Sequence, residues 1–466
     1  MFWCCSIYIL FILFDIISTM KILFYSTNSN HFDGNTFKIN TLPSWKNQWE
    51  QLCNIYPEHE FIIITQLPGM FLLDLENNSV KESCSKIKYF VTRKDSPYEI
   101  AELIKSYEPD IAIAVSFWVN PYDWLPINDG IIAEILQTSG IKTICHPSKT
   151  ALECFDKNKT HNFLSTKKYK VPNAVYVHHE LYWGERNKLE VKNNVYKEYI
   201  HHNIKNLKFP VVIKDTVGLS SYGMEVASTY NQVISFLSSK RNNSDRIIEE
   251  YIEGLQFGTE IHGTNGKYIV HNPYLFSVNK YGITSPKQSV KIGPVCDKKY
   301  KIKKLKQTLK RLAKDLNLSG IAQVDLVFSN NKWYIIEINT RISGMTPMYA
   351  ISQNKTIYSI LTEIALNKIN KAKQTYTINF KLPILTETQM NELSKEPYIK
   401  YINQLHNLIA KQEREQGYCE IILGGTKTKK ELIDCVNNFF EKYPNLIEPI
   451  FAENANKLIQ VLGWNK

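Results

Sequence analysis

The chain has 466 residues, 44% apolar and 22% charged, which is ordinary for folded protein and excludes a disordered or collagen-like chain. Its formal charge of +11 comes with a composition rich in Lys, Asn, Ile and Tyr but with no nucleic-acid-binding signature, so solvated lysine faces are expected and nucleic acid is not an expected partner. The nine cysteines are odd in number, irregularly spaced and without a CxxC pair, which excludes a disulfide framework or zinc site and points to the reducing cytoplasm.

The chain opens with an apolar run, Phe2–Phe14, interrupted by Asp15 and preceded by no Lys or Arg. A spanning helix needs roughly 20 apolar residues, and a signal peptide needs a basic region and a small-residue cleavage site. Residues 1–19 are therefore an apolar leader or a mis-called start, with no stable membrane span expected. From Met20 the pattern becomes domain-like. Lys21–Ser26, Glu60–Thr65 and Ile111–Val115 are buried strands, and Ser96–Tyr107 and Asp129–Ser139 are helix-like. The alternation predicts an α/β unit over 20–150, Rossmann-like, with a parallel sheet covered on both faces. Its first strand–helix turn lacks the glycine fingerprint of a dinucleotide fold, so no nicotinamide cofactor is expected.

A second unit is expected over 151–252. It starts with a helix at Asp156–Lys168 and carries a Lys- and Asn-rich insertion at Tyr182–Lys208. Strand FPVVIK, a small-residue loop at Asp215–Gly223, a helix at Tyr230–Lys240 and strand RIIEEYI follow. A third unit, 253–371, holds antiparallel segments at Thr259–Gly263 and Lys267–Asn272, a basic amphipathic helix at Lys301–Asn317, and a hairpin of Ile321–Phe328 with Trp333–Ile338. Residues 372–466 form an extra α+β region. There Gly424-Gly425 makes a strand-to-helix turn, and Thr428 with Glu431 makes a capping box.

Four segments carry chemistry. Lys214 ends a buried strand before a loop whose N–H groups can wrap phosphate oxygens. Arg246–Gly254 runs an apolar strand into Glu249, Glu250 and Tyr251, which suits an adenine site. Across the hairpin turn, Asp325 meets Glu337 and Asn339, hard oxygen donors suited to Mg²⁺ bridged to phosphates. Arg341 offers a fork that matches a carboxylate or phosphate, and Gly344 permits close backbone approach.

In this order and spacing the segments resemble the ATP-grasp superfamily, over about Asn128 to Ser359. The pattern is similar to the D-alanine–D-alanine ligases in Asn128-Asp129-Gly130, in Ala151 through Asp156-Lys157, in Ser220-Ser221-Tyr222-Gly223-Met224, and in Glu337-Ile338-Asn339-Thr340 with Gly344-Met345-Thr346. It departs from them at Gln323, where an Arg is usual. Asn339-Thr340-Arg341 looks instead like the carboxylases and amino-acid ligases of the superfamily.

The resemblance implies an ATP-grasp fold and an ADP-forming ligase that activates a carboxylate as an acyl phosphate and joins it to an amine. Lys157 or Lys159, with Lys214, would hold the phosphates of ATP. Glu249, Glu250, Tyr251 and Ile252 would line the adenine site, and Gln256 stands where a ribose-binding Glu is usual. Asp325, Glu337 and Asn339 would hold one or two Mg²⁺, for which Mn²⁺ can substitute. The loop with Ser220 and Ser221 would close over the terminal phosphate, Ser220 would help orient the nucleophile, and Arg341 would hold the carboxylate and stabilise the oxyanion. The expected partners are small-molecule carboxylate and amine substrates, with a homodimer as the expected assembly. Two alternatives stand beside this: a bicarbonate-dependent carboxylase or carbamoyl-phosphate-type enzyme, and a non-catalytic ATP-binding regulator.

Overall fold

The computed structural model describes residues 19–27, 37–66, 71–76, 79–117, 124–184, 193–218, 224–278, 289–371, 373–410 and 417–464. Near the N-terminus, Lys21–Ser26 pairs in parallel with Glu60–Gln66 on one side and Ile111–Ala114 on the other. Ile87–Thr92 and Lys142–Ile144 complete a five-stranded parallel sheet. Ile22 and Phe24 face a core shared with the helices Trp45–Ile55 and Ile357–Ala365, whereas Leu23 and Tyr25 face the helices Pro97–Lys105 and Leu125–Thr138. A strand buried on both faces has no polar side, and this is why it reads as one apolar run. The helix expected from Asp129 begins at Leu125, because Pro126 fits a first turn whose N–H groups have no partner inside the helix.

The helix expected over Asp156–Lys168 is Lys157–Thr166, and a separate helix, Ser148–Phe155, ends just before it. Asp156 separates them and caps Lys157–Thr166, its carboxylate accepting from the N–H groups of Asn158 and Lys159. A four-stranded antiparallel sheet follows, in the order Glu225–Ala227, Val211–Asp215, Arg246–Glu250, Ala174–Val177. Val211, Ile213 and Ile248 pack under the helices Val195–Lys205 and Tyr230–Leu237. The period of two then turns Val212, Lys214, Ile247 and Glu249 to the opposite face.

The third sheet has ten strands. Lys332–Asn339, Gly320–Ser329, Leu255–Thr264, Tyr274–Phe276, Lys291–Gly293, Tyr376–Leu382, Gly417–Thr426, Ile399–Asn407 and Phe37–Leu42 lie in that order, and Lys267–Val270 pairs with Leu255–Thr264. One face packs on the helices Ile302–Asp315, Lys429–Lys442 and Pro449–Leu462. The sheet runs across the expected boundary at 371/372, since Tyr376–Leu382 pairs with Lys291–Gly293. It also takes Phe37–Leu42 from the N-terminal part of the chain, paired with Ile399–Asn407. Among the described residues no helix is long and apolar enough to cross a membrane, and Phe2–Phe14 lies outside them.

Candidate functional site

The hairpin that joins Gly320–Ser329 to Lys332–Asn339 turns through Asn330 and Asn331, with φ of 47° and 60°. Two consecutive left-handed residues make the tight turn that suits twisted strands, and Asn tolerates that conformation. The turn sets the register, and a bulge then shifts it. Leu326 faces Ile335, but the next pair is Asp325 with Glu337, followed by Val324 with Ile338 and Gln323 with Asn339. Ile336 is the extra residue. In an unbulged ladder Glu337 would face Val324 and point into the helix-covered core. The bulge instead puts Asp325, Glu337 and Asn339 on the open face.

Like charges side by side push each other toward neutrality. Burial, and next the charge of Glu337, push the Asp325 carboxyl up to about 7, while a hydrogen bond from Gln323 and the cations Lys291 and Arg341 oppose the shift. Gln323 Nε2 donates to Asp325 Oδ1 at 2.6 Å. Lys157 reaches the pair from the other sheet's side. Its Nζ lies 3.7 Å from Glu337 Oε1 and donates to the Gly218 carbonyl at 2.9 Å. Its own N–H donates to the Thr216 carbonyl at 2.7 Å, so this helix start and the loop after Lys214 are tied together.

Arg341 is buried at 9% exposure, with Nη2 donating to Asn339 Oδ1 at 3.2 Å and Nη1 to the Ile342 carbonyl at 3.3 Å. Its segment is held from two directions. The Ile342 N–H donates to the Ser116 carbonyl at 2.9 Å, anchoring it to the parallel-sheet domain. Ser343 Oγ and Thr346 Oγ1 donate to Glu260 Oε1 at 3.2 and 2.6 Å. Glu260 is fully buried opposite Gln323, and its other oxygen bonds His262 Nε2 at 2.7 Å, with His271 behind at 2.9 Å. Burial pushes the Glu260 carboxyl up to about 8 against its Thr346 and Ser343 bonds. The sequence analysis missed this residue, although the period of two along Leu255–Thr264 puts it on the same face as Gln256.

On the four-stranded sheet, Lys214 pairs with Glu249, both buried. Glu250 turns elsewhere, accepting from Asn173 Nδ2 at 3.0 Å and from the Lys208 N–H at 2.9 Å. Tyr251 and Ile252 are partly buried, and the Tyr251 N–H donates to the Pro210 carbonyl at 2.9 Å. Gln256 shares a sheet face with Gly258, which lies opposite Asp325. Lys159 is exposed, so of the two lysines it is Lys157 that meets the carboxylates. Ser220 and Ser221 lie outside the described residues.

Among the described residues no three His, Cys, Asp or Glu side chains cluster as a self-sufficient metal site. Two carboxylates and an amide are hard oxygen donors of the kind that hold Mg²⁺ jointly with phosphates, and a cation there would offset the adjacent charges of Asp325 and Glu337. The residues fit the ion.

The structure is thus of the α/β class, with a parallel sheet, a small antiparallel sheet carrying Lys214 and a larger one carrying the paired carboxylates. Residues 154–345 match the family model described as an ATP-grasp domain. It is 29% identical over 225 residues to D-alanine–D-alanine ligase A of Bacillus cereus, covering 47% of this chain and 67% of that one. It is 29% identical over 141 residues to carbamoyl-phosphate synthase of Methanobrevibacter smithii, covering 30% of this chain and 37% of that relative. The chain thus spans little more than a third of the latter's length. The crystal structure of L-amino acid ligase from Bacillus licheniformis superposes with a TM-score of 0.62 at 14% identity, over 92% of this chain and 98% of that one, which shows a shared fold.

Proposed function

We propose that the chain is an ADP-forming ligase that uses Mg²⁺-ATP to join a small carboxylate to an amine. One observation carries this: the bulged hairpin brings Asp325, Glu337 and Asn339 to one face, where Lys157 and the buried Arg341 meet them. The carboxylate and amine substrates are amino-acid-like, in keeping with the ligases named among the relatives and neighbours.

In this reading Lys157 and Lys214 hold the phosphates of ATP, and Glu249, Tyr251 and Ile252 with Gln256 face the adenosine, whereas Glu250 is taken up by Asn173 and the Lys208 N–H. Asp325, Glu337 and Asn339 hold Mg²⁺, which when bound neutralises phosphate charge during transfer. Arg341 binds the substrate carboxylate and orients one oxygen in line with the terminal phosphorus, and ADP leaves as that bond forms. The amine nitrogen then attacks the acyl carbon, the carbon–oxygen bond to phosphate breaks as the intermediate collapses, and the departing phosphate takes the proton from the nitrogen. Arg341, fixed by Asn339 and by the anchored segment behind it, stabilises the oxyanion of that step without reorganising. Closure of the lysine-bearing sheet excludes water from the acyl phosphate. The seven described cysteines are all free, which suits a cytoplasmic enzyme.

The test is phosphate release from Mg²⁺-ATP, screened against amino acids singly and in pairs. Release that depends on an acid and an amine, with ADP as the other product, supports the ligase. The likeness to a carbamoyl-phosphate synthase motivates one further arm, bicarbonate, and release stimulated by bicarbonate alone would replace the amino-acid reading.

A further inference from the structure

The sheet face that carries Asp325 and Glu337 continues past Arg341 onto strands of the C-terminal region, where Met345, Met348 and Tyr349 pack on it and charged side chains are buried together. Lys291 faces Asn379 across one ladder, and Lys381 faces Glu420 across the next. Asn379 and Lys381 are two apart on one strand and share its face. Exposure is 0% for Asn379, 8% for Lys381 and 6% for Glu420. Lys291 Nζ and the two Glu420 carboxylate oxygens come within 3.6–3.8 Å of the point where a side chain on Gly344 would begin. Gly344 stands three residues after Arg341, so these charges converge on the segment that carries it.

Lys291 Nζ and the Glu420 oxygens point into this space without pairing with one another. Among the described residues neither ammonium has an ion-pair partner within 4.0 Å. Lys291 leans over the ring of Phe276 at 5.6 Å and Lys381 over that of Tyr418 at 4.2 Å. Asn379 Oδ1 and the Tyr401 hydroxyl are buried without a hydrogen-bond partner. A buried charge or polar group left this way is costly unless a ligand completes it.

We propose that Lys291, Lys381 and Glu420 form the acid-substrate pocket, and that it takes a dicarboxylic α-amino acid. Glu420, with the acceptor Asn379 Oδ1 alongside, receives the ammonium, and the two lysines, with the Tyr401 hydroxyl, receive the carboxylate that does not react. Charge decides between substrate classes. Once the reacting carboxylate sits on Arg341, a monocarboxylic amino acid brings only its ammonium, which answers Glu420 and leaves both lysines uncompensated. A second carboxylate offsets them. The assignment of the reacting carboxylate rests on the ligase reading, whereas binding of the amino acid does not.

The experiment is calorimetric titration of L-glutamate, L-aspartate, L-glutamine and L-alanine into the full chain held with MgADP. The expected result is that one of the two acids binds, with glutamine and alanine weaker by about tenfold or more, the effect of a lost charged hydrogen bond. Lys381→Met and Glu420→Gln weaken the acid by a similar factor and leave MgADP affinity unchanged, which also shows that the variants fold. Equal binding of glutamine or alanine, no binding of either acid, or unaltered affinity in Lys381→Met overturns the proposal. Phosphate release with some other acid would leave the ligase standing while the pocket assignment falls. Glutamate binding without any acid-dependent release would do the reverse.

Discussion

Glu337 reaches the open face because one residue, Ile336, is extra in its strand. Its carboxylate and that of Asp325 then share a partly buried space, with Lys157 beside Glu337 and the cations Lys291 and Arg341 acting on Asp325. Glu337→Gln keeps the shape and removes one charge. It is expected to lower phosphate release by about a hundredfold or more and to raise the Mg²⁺ concentration needed for half-maximal rate, which a Mg²⁺ titration reads directly. Arg341→Lys keeps the charge but loses the planar fork that bonds Asn339 and the Ile342 carbonyl. Its kcat/KM for the acid falls by about a hundredfold while the KM for ATP stays within about twofold. At this scale the sequence was readable where contacts are local. Asp325 and Glu337 could be paired because a two-residue turn separates their strands. The bulge could not be read, because Ile336 looks like any buried strand residue. Glu260, Lys291, Lys381 and Glu420 were not identified as functional either, since what brings them to Arg341 is pairing between distant strands.

Among the elements, the helix Lys157–Thr166 depends on one cap. Asp156 satisfies two N–H groups at its start and thereby places Lys157. Asp156→Ala costs about 1 kcal/mol of stability in denaturant titration, and the KM for ATP rises several-fold as Lys157 loses its position. His146 ties the strand Gly320–Ser329 to the parallel-sheet domain. Its Nδ1 accepts from the Ser319 N–H at 3.1 Å and its Nε2 lies 2.8 Å from the Ile321 carbonyl, which fixes the neutral tautomer. Burial lowers its pKa from 6.5 to about 4. Between those values only the unfolded chain takes the proton, so this contribution is complete above pH 6.5 and is lost as pH falls toward 4. His146→Gln flattens that part of the stability–pH profile, measured by thermal unfolding. The pattern over 156–168 suggested one helix, and Lys157–Thr166 is that helix, kept separate from the one that ends at Phe155. The cause is Asp156, whose side chain serves the backbone better as a cap than as a helical residue.

For the whole molecule, the parallel sheet, the lysine-bearing sheet and the acidic hairpin follow one another along the chain, which is why that order was legible. The ten-stranded sheet was not. It joins Phe37–Leu42 to Ile399–Asn407 and carries the C-terminal strands into register with Lys291–Gly293. Such pairings leave only an alternating pattern in the sequence, with nothing that names the partner strand. The result is that three regions of the chain frame one site. Ligand bound at that site stabilises all of it, so MgATP at a hundred times its Kd adds about 2.7 kcal/mol and raises Tm, and a chelator reverses most of the gain.

The most direct measurement of the central claim is phosphate release from Mg²⁺-ATP in the presence of an acid and an amine, with the products identified. The account predicts ADP, phosphate and a new amide in equal amounts, with all three formed about a hundredfold or more slowly in Glu337→Gln. ATP bound tightly but never turned over, whatever acid, amine or bicarbonate is supplied, would contradict it.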